Sequence, residues 1–338
     1  MSKIVVAMSG GVDSTVAAYI LKEQGCDIEG VYMRLHVDDK SHEENLQKIE
    51  KVANFLGIKY HVLDIKARFD KSVFNPFIEQ YKKGLTPNPC ALCNRDIKFG
   101  ALVEFAKENG FEKLATGHYV RIEDGFIKEA VDKSKDQSYF LANVKKANLS
   151  SVVFPLGDML KSEVKEFASK IEILKEFSTQ KESTEICFVS DTYLDVLKDY
   201  VEVDKRGDVL NKKGEVVGEH KGYMHYTVGK RRGFTVKGAL TPHYVISTNQ
   251  ERNEIVVGDK EDLKVEEFEV RDLNLFEDIK SSTCRVKIRY RSPKTSCFFE
   301  IKNGGAKVTL KTPVEGLAPG QMAVFYKEDL VIGSGWIV

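Results

Sequence analysis

The sequence has no excess of charge of either sign, no long apolar run and no repeats. Its 51 lysines and arginines balance its 51 aspartates and glutamates, so net charge does not indicate a nucleic-acid partner, and such a partner would need a local basic patch. No run reaches the about eighteen apolar residues of a membrane helix, and Met1-Ser2-Lys3 leads straight into a strand pattern without a signal-peptide core. We therefore expect a cytoplasmic protein without a membrane partner.

Cysteine is also scarce. Six cysteines in 338 residues are too few and too unevenly placed for a disulfide scaffold. Each one is either a buried apolar residue or a reactive one, and the local setting has to decide which. The remaining composition, 42% apolar and 30% charged, is that of an ordinary folded protein with room for two or three domains.

Apolar runs alternate with helical periodicity through the first half of the chain. The predicted strands are 4–8, 28–35, 60–65 and 113–116, and the predicted helices are 15–23, 43–56, 68–82 and 96–109. This βαβ order predicts a doubly wound parallel α/β sheet with ligands at the carboxyl ends of its strands. After Tyr200, short strand patterns separated by turns predict two small β-barrel-like domains. We place the domains at 1–195, 196–262 and 263–338.

A glycine-rich turn, Ser9-Gly10-Gly11-Val12-Asp13-Ser14, lies between the first predicted strand and the first predicted helix. The glycines let the backbone approach an anion closely, and the helix N-terminus faces that anion with its N–H groups and positive dipole end. The turn matches neither the Walker loop nor the dinucleotide fingerprint. It resembles the pyrophosphate loop of the ATP pyrophosphatases, which adenylate a carbonyl or carboxylate group, so we predict ATP binding. An ordinary glycine turn is the alternative.

Three cysteines lie in settings that bear on reactivity. Cys90-Ala91-Leu92-Cys93 occupies a proline-stiffened loop before a helix that Asn94 or Asp96 could cap, and a helix N-terminus favours the thiolate. A lone C-x-x-C is typical of a redox pair, half a zinc site or part of an iron–sulfur site, and two buried small residues are the alternative. Cys187 stands alone in an apolar run and, by pattern alone, is more typical of a core.

The segment Arg285-Val286-Lys287-Ile288-Arg289-Tyr290-Arg291 is the clearest sequence signal for RNA binding. With a period of two, its four cations share one face of a predicted strand at spacings of about 6.5 to 7 Å. Lys230-Arg231-Arg232 is a second basic cluster. Such rows are typical of phosphate-binding surfaces, although a basic edge strand that resists aggregation has the same pattern.

Six motifs in one order carry a resemblance to a known family. They are Ser9 to Ser14; Thr86-Pro87-Asn88-Pro89 with Cys93-Asn94; Ala115-Thr116-Gly117-His118-Tyr119; Lys135-Asp136-Gln137-Ser138-Tyr139-Phe140; Ser183 to Cys187; and Tyr226-Thr227-Val228-Gly229-Lys230-Arg231 with Gly233. Together with Arg289-Tyr290-Arg291 and Pro319-Gly320-Gln321, they resemble the tRNA-specific 2-thiouridylase family over nearly the whole chain. The resemblance implies a tRNA-uridine sulfurtransferase with an ATP-pyrophosphatase domain and two β-barrel-like domains, the last of which binds tRNA.

The resemblance also implies a reaction. ATP adenylates the C2 oxygen of the wobble uridine and releases pyrophosphate, and a protein persulfide then displaces AMP to leave 2-thiouridine. By the family pattern Cys93 is the nucleophile and Cys187 carries the persulfide sulfur, which comes from a persulfide carrier or a cysteine desulfurase. A disulfide between the two would release the product, which requires Cα atoms within about 7 Å in one conformation. We expect a monomer.

The family pattern further assigns nucleotide and RNA contacts. ATP is expected at Ala7, Met8, Ser9, Gly10, Gly11, Val12, Asp13, Ser14, Met33 and Gly117, with Mg²⁺ oriented by Asp13. The target base and the tRNA are expected at Asn88, Pro89, Cys90, His118, Lys135, Asp136, Gln137, Arg289, Tyr290 and Gln321. By pattern alone, Met33 could equally be a core methionine and His118 a structural histidine.

Cys90 departs from the commonest family pattern, which has aspartate at this position. With Cys93 and Cys187 it makes a set of three thiols that could hold a [4Fe–4S] cluster and leave one iron open for a sulfide. A persulfide route and a cluster route for sulfur transfer are therefore both open. Zinc is a third use of three cysteines, but it is redox-inert and accounts for the sulfur chemistry less well. Two other functions are also open: an adenylating amide-forming ligase with the same loop, and a non-catalytic scaffold that binds tRNA or an iron–sulfur cluster.

Overall fold

The computed structural model describes residues 2–35, 39–179, 186–189, 191–238 and 241–338. Its backbone contacts divide the chain into two units: unit 1 is Met1–Phe74, Cys90–Thr184 and Lys327–Ile332, and unit 2 is Asn75–Pro89, Glu185–Tyr326 and Gly333–Val338. Ser183, Thr184 and Glu185 of the motif that ends at Cys187 lie outside the described residues. Among the described residues, no helix has the length and apolar character needed to cross a membrane.

Unit 1 contains a five-stranded parallel sheet. Its strands are β1 (Lys3–Ala7), β2 (Asp27–Arg34), β3 (Tyr60–Asp64), β4 (Lys113–Ala115) and β7 (Val152–Val153), in the order β3-β2-β1-β4-β7. Helices α1 (Val12–Glu23), α2 (Asp39–Leu56) and α9 (Lys161–Lys170) pack their buried residues into the same core. The predicted parallel α/β fold is confirmed, because each crossover places a helix on the face of the sheet.

The remaining elements of unit 1 are short. A hairpin of β5 (Val120–Glu123) and β6 (Phe126–Glu129) follows β4, and Leu330 pairs with Lys128 of β6. Helices α3 (Lys66–Phe69), α7 (Ser138–Leu141), α8 (Lys146–Leu149) and α10 (Lys175–Ser178), a π-helical turn (Asp70–Phe74) and a 3₁₀ turn (Glu172–Leu174) complete the unit. The predicted helix 68–82 is thus present as α3, the π turn and α4 (Asn75–Lys82).

The helix predicted at 96–109 begins seven residues earlier. It runs without a break through α5 (Pro89–Cys93), a π-helical segment (Asn94–Ala101) and α6 (Leu102–Glu108). Proline is well suited to the first position of a helix, where its missing N–H is not needed and its φ angle is already helical. Cys90 and Cys93 therefore lie in the first helical turns and not in a preceding loop. The π-helical segment lies next to them, as such segments often do at functional sites.

Unit 2 is rich in β structure, as predicted. One sheet has β8 (Gly207–Leu210), β9 (Val216–His220), β10 (Tyr244–Asn249) and β11 (Glu254–Gly258) in the order β10-β11-β8-β9. A second set, β12 (Lys264–Leu275), β13 (Ser281–Lys287), β14 (Thr295–Lys302), β15 (Gly305–Glu315), β16 (Met322–Lys327) and β17 (Leu330–Ile337), closes into a barrel because β17 pairs with β12. Helices α4 and α11 (Tyr193–Lys198) and 3₁₀ turns at Tyr223–His225 and Lys260–Leu263 accompany these sheets.

The predicted basic strand 285–291 is only partly a strand, because β13 ends at Lys287. The backbone N–H groups of Ile288 and Arg289 donate to the Ser292 hydroxyl at 3.2 and 3.3 Å, and the Ser292 N–H donates to the Arg289 carbonyl. These bonds turn the chain where the sheet ladder would otherwise continue. Arg289 therefore lies on a turn, and the four cations do not form one straight row.

Candidate active site

The loop Ser9–Ser14, here called the phosphate loop, is held closed by its two serines. The Ser14 hydroxyl accepts from the Ser9 N–H at 3.2 Å and donates to the Gly11 carbonyl at 3.1 Å, and the two hydroxyls lie 3.2 Å apart. Gly10 has a φ of 78°, a left-handed conformation that favours glycine. Gly11 is the N-cap of α1 and has no side chain to occupy the first N–H groups of that helix. The loop can therefore offer them to a phosphate.

Gly117 follows β4 and packs directly against this loop. A Cβ atom on Gly117 would lie 2.7 Å from the carbonyl carbon of Asp13 and 2.8 Å from the backbone nitrogen of Ser14. No other residue fits at that distance without moving the loop backbone. The close approach brings the two following residues, His118 and Tyr119, to the edge of the loop.

The carboxylate of Asp13 is bound by Lys161 and Tyr119, neither of which is among the predicted site residues. The ammonium of Lys161 lies 2.6 and 2.7 Å from its two oxygens, and the Tyr119 hydroxyl donates to one of them at 2.7 Å. The side chain of Lys161 is 9% exposed, and that of Asp13 is 34% exposed. One signal was available: Lys161 is the first residue of α9, where the helix dipole disfavours a cation.

Lys161 is also fixed by its backbone, because its N–H donates to the carboxylate of Asp132 at 2.9 Å. Its ammonium lies 5.5 Å from the centre of the Tyr119 ring. A buried lysine held in one place beside a helix N-terminus can bind an anionic ligand at little further cost in side-chain entropy, because the fold already orders the side chain.

His118 is bound on both ring nitrogens. Its Nδ1 lies 2.8 Å from the hydroxyl of Thr116, and its Nε2 lies 3.5 Å from the ammonium of Lys98, which belongs to the π-helical segment. An ammonium group can only donate, so Nε2 is the acceptor and Nδ1 carries the proton that goes to Thr116. Phe99 and Phe154 pack against the ring. Lys98 was not predicted, since only the packing brings it to His118.

Burial, and then the charge of Lys98, hold the pKa of His118 well below its usual value of 6.5. Below about pH 6.5 the unfolded chain therefore binds a proton here that the folded chain does not, and the free energy of unfolding falls as the pH falls. We expect the melting temperature to drop between about pH 7.5 and about pH 5.5, and to drop less in a His118→Gln variant. Thermal denaturation followed by circular dichroism at both pH values measures this, and equal drops in the two proteins would contradict it.

The three candidate cysteines differ in their surroundings. Cys93 is buried, Cys90 is half-buried and Cys187 is exposed; the first two lie in unit 1 and Cys187 in unit 2. Asn94 next to Cys93 is 3% exposed and donates to the Phe140 carbonyl at 3.1 Å. Within the described ranges, no group of three or more His, Cys, Asp or Glu side chains is arranged to hold a metal ion.

Two of the residues expected at the tRNA make contacts inside unit 1. Asp136 is buried and accepts from the Ala130 N–H, from the Ser138 N–H and from the Ser138 hydroxyl, and burial raises its pKa. Gln137 accepts from the Tyr119 N–H at 2.9 Å through its side-chain oxygen. Both side chains shape the turn beside the phosphate loop. Lys135 lies in the same turn, where its N–H donates to the Asp132 carbonyl.

The remaining residues predicted to contact ATP or tRNA lie in several different elements. Gln321 donates to the carbonyls of Thr86 and Pro87 at 3.1 and 3.2 Å, so it braces the segment that leads to Asn88 and Pro89. Met8 is buried against Gly30, and Met33 is half-buried on β2. Ala7 ends β1, and Val12 is the first residue of α1. Asn88 is buried, and Tyr290 lies on the turn after β13.

One cation from each basic cluster of the sequence lines the same cavity in unit 2. Lys230 and Arg289 line this cavity of about 390 Å³ together with Gly229, Tyr244 and Gly316. Arg289 is exposed and donates to the Glu315 carbonyl at 2.9 Å. Lys230 donates to the His225 carbonyl at 2.6 Å, and burial lowers its pKa. Two cations at the wall of one cavity could both contact a single anion.

The fold and the phosphate loop define an α/β protein with a phosphate-binding type of loop, followed by β domains. Three family models match in succession: the tRNA methyl transferase HUP domain over residues 2–191, the tRNA methyl transferase PRC-barrel domain over 194–259 and the Aminomethyltransferase beta-barrel domain over 265–337. Together the matches span nearly the whole chain, apart from short gaps at 192–193 and 260–264.

Whole-chain relatives are more specific. The chain is 60% identical over 336 residues to the tRNA-specific 2-thiouridylase MnmA of Campylobacter jejuni subsp. jejuni serotype O:6 and 61% identical over 336 residues to that of Campylobacter lari, with 99% of both chains covered in each comparison. It is 53% identical to that of Sulfurimonas denitrificans, covering 99% of this chain and 98% of the relative. The chain belongs to the tRNA-specific 2-thiouridylase family, which confirms the resemblance seen in its motifs.

Proposed function

We propose that the chain is an ATP-dependent tRNA 2-thiouridylase, a sulfurtransferase that converts the C2 carbonyl of a tRNA uridine to a thiocarbonyl with release of AMP and pyrophosphate. The observation that carries the proposal is the phosphate loop with Lys161 bound to Asp13 at its edge. Oxygen at C2 of uracil is a poor leaving group, and adenylation makes it a good one. A loop that binds the phosphates of ATP is what this activation requires.

The phosphate loop and Lys161 have different roles in the activation of the C2 oxygen. The N–H groups at the start of α1 bind phosphate oxygens, and the Lys161 ammonium offsets the charge that develops on the departing pyrophosphate. Since both oxygens of Asp13 already accept from Lys161, Mg²⁺ is proposed to enter on the phosphates of ATP. No step is assigned to a contact between the ion and Asp13.

Cys93 and Cys187 are proposed to transfer the sulfur. A persulfide on Cys187, loaded by a sulfur-donor protein, supplies its terminal sulfur to the activated carbon, and AMP leaves with the C2 oxygen. Cys93 then attacks the Cys187 sulfur to release the product, and the two cysteines end as a disulfide that a reductant must reopen. Cys93 ends α5 and is followed directly by the π-helical segment that carries Lys98.

The [4Fe–4S] alternative would need a third thiol beside Cys90 and Cys93. The described residues contain no such three-ligand group, and the proposed sulfur transfer uses Cys93 and Cys187. For the tRNA itself we propose that the cavity lined by Lys230 and Arg289 binds a backbone phosphate, in keeping with its two cations.

The test is anaerobic thiolation of a tRNA transcript with ATP and a persulfide donor, with analysis of 2-thiouridine, pyrophosphate and protein-bound iron. We expect 2-thiouridine to form in iron-free protein, and a Cys90→Asp variant to retain the activity. Absence of 2-thiouridine with or without iron would overturn the proposed function. Activity that requires iron, and that Cys90→Asp abolishes, would replace the persulfide route by the cluster route. An amide ligase would consume ATP with ammonia, and a scaffold would bind tRNA without forming pyrophosphate.

A further inference from the structure

Lys98 is a cation near the phosphate loop for which the proposed reaction has so far no use. It lies in the π-helical segment that continues directly from Cys93, and its ammonium lies 3.5 Å from Nε2 of His118. His118 follows Gly117, which packs on the backbone of Asp13 and Ser14. Lys98 is thus separated from the phosphate loop by a single side chain.

Hydrogen bonds through His118 fix the position of the Lys98 ammonium. Thr116 accepts from Nδ1 of His118, so Nε2 of the ring is the acceptor for Lys98. The aromatic rings of Phe99 and Phe154 fix the plane of the imidazole. An ammonium has three N–H donors, and within the described residues only one of those of Lys98 is engaged. Because both nitrogens of His118 are occupied, the ring has no nitrogen left for a substrate, whereas Lys98 has donors left.

The position of Lys98 along the helix indicates which phosphate it would meet. Lys98 lies five residues after Cys93, within the π-helical segment. If the phosphate loop holds the β- and γ-phosphates, the α-phosphate must lie between the loop and the carbon at which the cysteines act. Lys98 is carried by the same continuous helix as Cys93, and its ammonium contacts His118 at the edge of the loop.

We propose that Lys98 binds a non-bridging oxygen of the α-phosphate during adenylation, and that His118 and Thr116 are positioning residues that aim it. This inference rests on the proposed function. The C2 oxygen forms a bond to the α-phosphorus, the bond from that phosphorus to the bridging oxygen breaks, its electron pair leaves with pyrophosphate, and the N3 proton of the base passes to water. Lys98 stays protonated throughout and stabilises the charge on the phosphoryl oxygens.

The test compares tRNA-dependent pyrophosphate release in wild type, Lys98→Met, Lys98→Arg and a control, Lys107→Met. Lys107 is an exposed lysine of α6, in the same continuous helix. We expect Lys98→Met to lower kcat about 100-fold with little change in the KM for tRNA. Lys98→Arg should recover part of the rate, and Lys107→Met should match wild type.

Two substitutions of His118 distinguish a role in positioning Lys98 from a role in proton transfer. In His118→Gln the amide oxygen can still accept from Lys98, so we expect the rate to stay within about 10-fold of wild type. In His118→Phe there is no acceptor, and the rate should fall as far as in Lys98→Met. Equal losses in His118→Gln and His118→Phe would assign His118 as a base and overturn the inference.

The outcomes also separate this inference from the function on which it rests. A wild-type protein that releases no pyrophosphate with tRNA would overturn both. A wild-type protein that makes 2-thiouridine, together with a folded Lys98→Met variant of equal kcat, would overturn the role of Lys98 alone. So would a Lys98→Met variant whose only change is a higher KM for tRNA, since that would make Lys98 an RNA contact.

Discussion

Cys93→Ser is expected to reduce the rate of tRNA thiolation by at least about 1000-fold while pyrophosphate is still released once per enzyme molecule. The adenylation step needs the phosphate loop and not the thiol, so it should survive the substitution. A serine hydroxyl at position 93 cannot attack a sulfur atom to release the product, because it is not ionised at neutral pH. Quenched-flow measurement of pyrophosphate, beside chromatographic analysis of 2-thiouridine from the same samples, separates the two steps.

Cys26→Ser is the matched control for this substitution. Cys26 lies in the same unit and is half-buried. It follows the end of α1 and belongs to none of the cysteine motifs. It should thiolate tRNA at the rate of wild type. Multiple-turnover thiolation by Cys93→Ser would remove this cysteine from the mechanism, and loss of the pyrophosphate burst would show that the substitution had damaged the adenylation site instead.

The parts of the site that could be predicted from sequence are those made by consecutive residues. The phosphate loop lies between a strand and a helix within the first 23 residues. The parallel sheet follows from the same local alternation of strand and helix patterns. Asp13 and Lys161, in contrast, are 148 residues apart, and Asp13 and Tyr119 are 106 apart. Only packing brings these side chains together, so the sequence pattern could not pair them.

The two errors in element boundaries have local causes. The prolines at 87 and 89 predict a loop, but Pro89 is the first residue of a helix, so Cys90 and Cys93 lie on that helix. On the basic segment, Val286 and Ile288 are both buried as the period of two predicts, yet the ladder stops at Lys287 because the Ser292 hydroxyl takes the next backbone N–H groups. The alternation of buried and exposed side chains can therefore continue along the chain beyond the last residue of the strand.

Lys161→Met is expected to abolish adenylation, with a fall in pyrophosphate release of at least about 1000-fold. The substitution removes the cation beside the phosphate loop and leaves the Asp13 carboxylate facing the phosphates of ATP, so attraction is replaced by repulsion. It should also destabilise the fold by about 2 kcal/mol. This cost is smaller than for a fully buried pair, because the Asp13 side chain is 34% exposed and Tyr119 still donates to it.

The double variant Asp13→Asn/Lys161→Met separates catalysis from stability. The asparagine oxygen still accepts from Tyr119, and no unpaired charge is left, so most of the lost free energy of unfolding should return. The rate should not return, because the double variant still has no cation at the loop. Urea denaturation and pyrophosphate release measured on wild type, both single variants and the double variant complete the cycle. Recovery of both stability and rate in the double variant would mean that Lys161 serves only to neutralise Asp13.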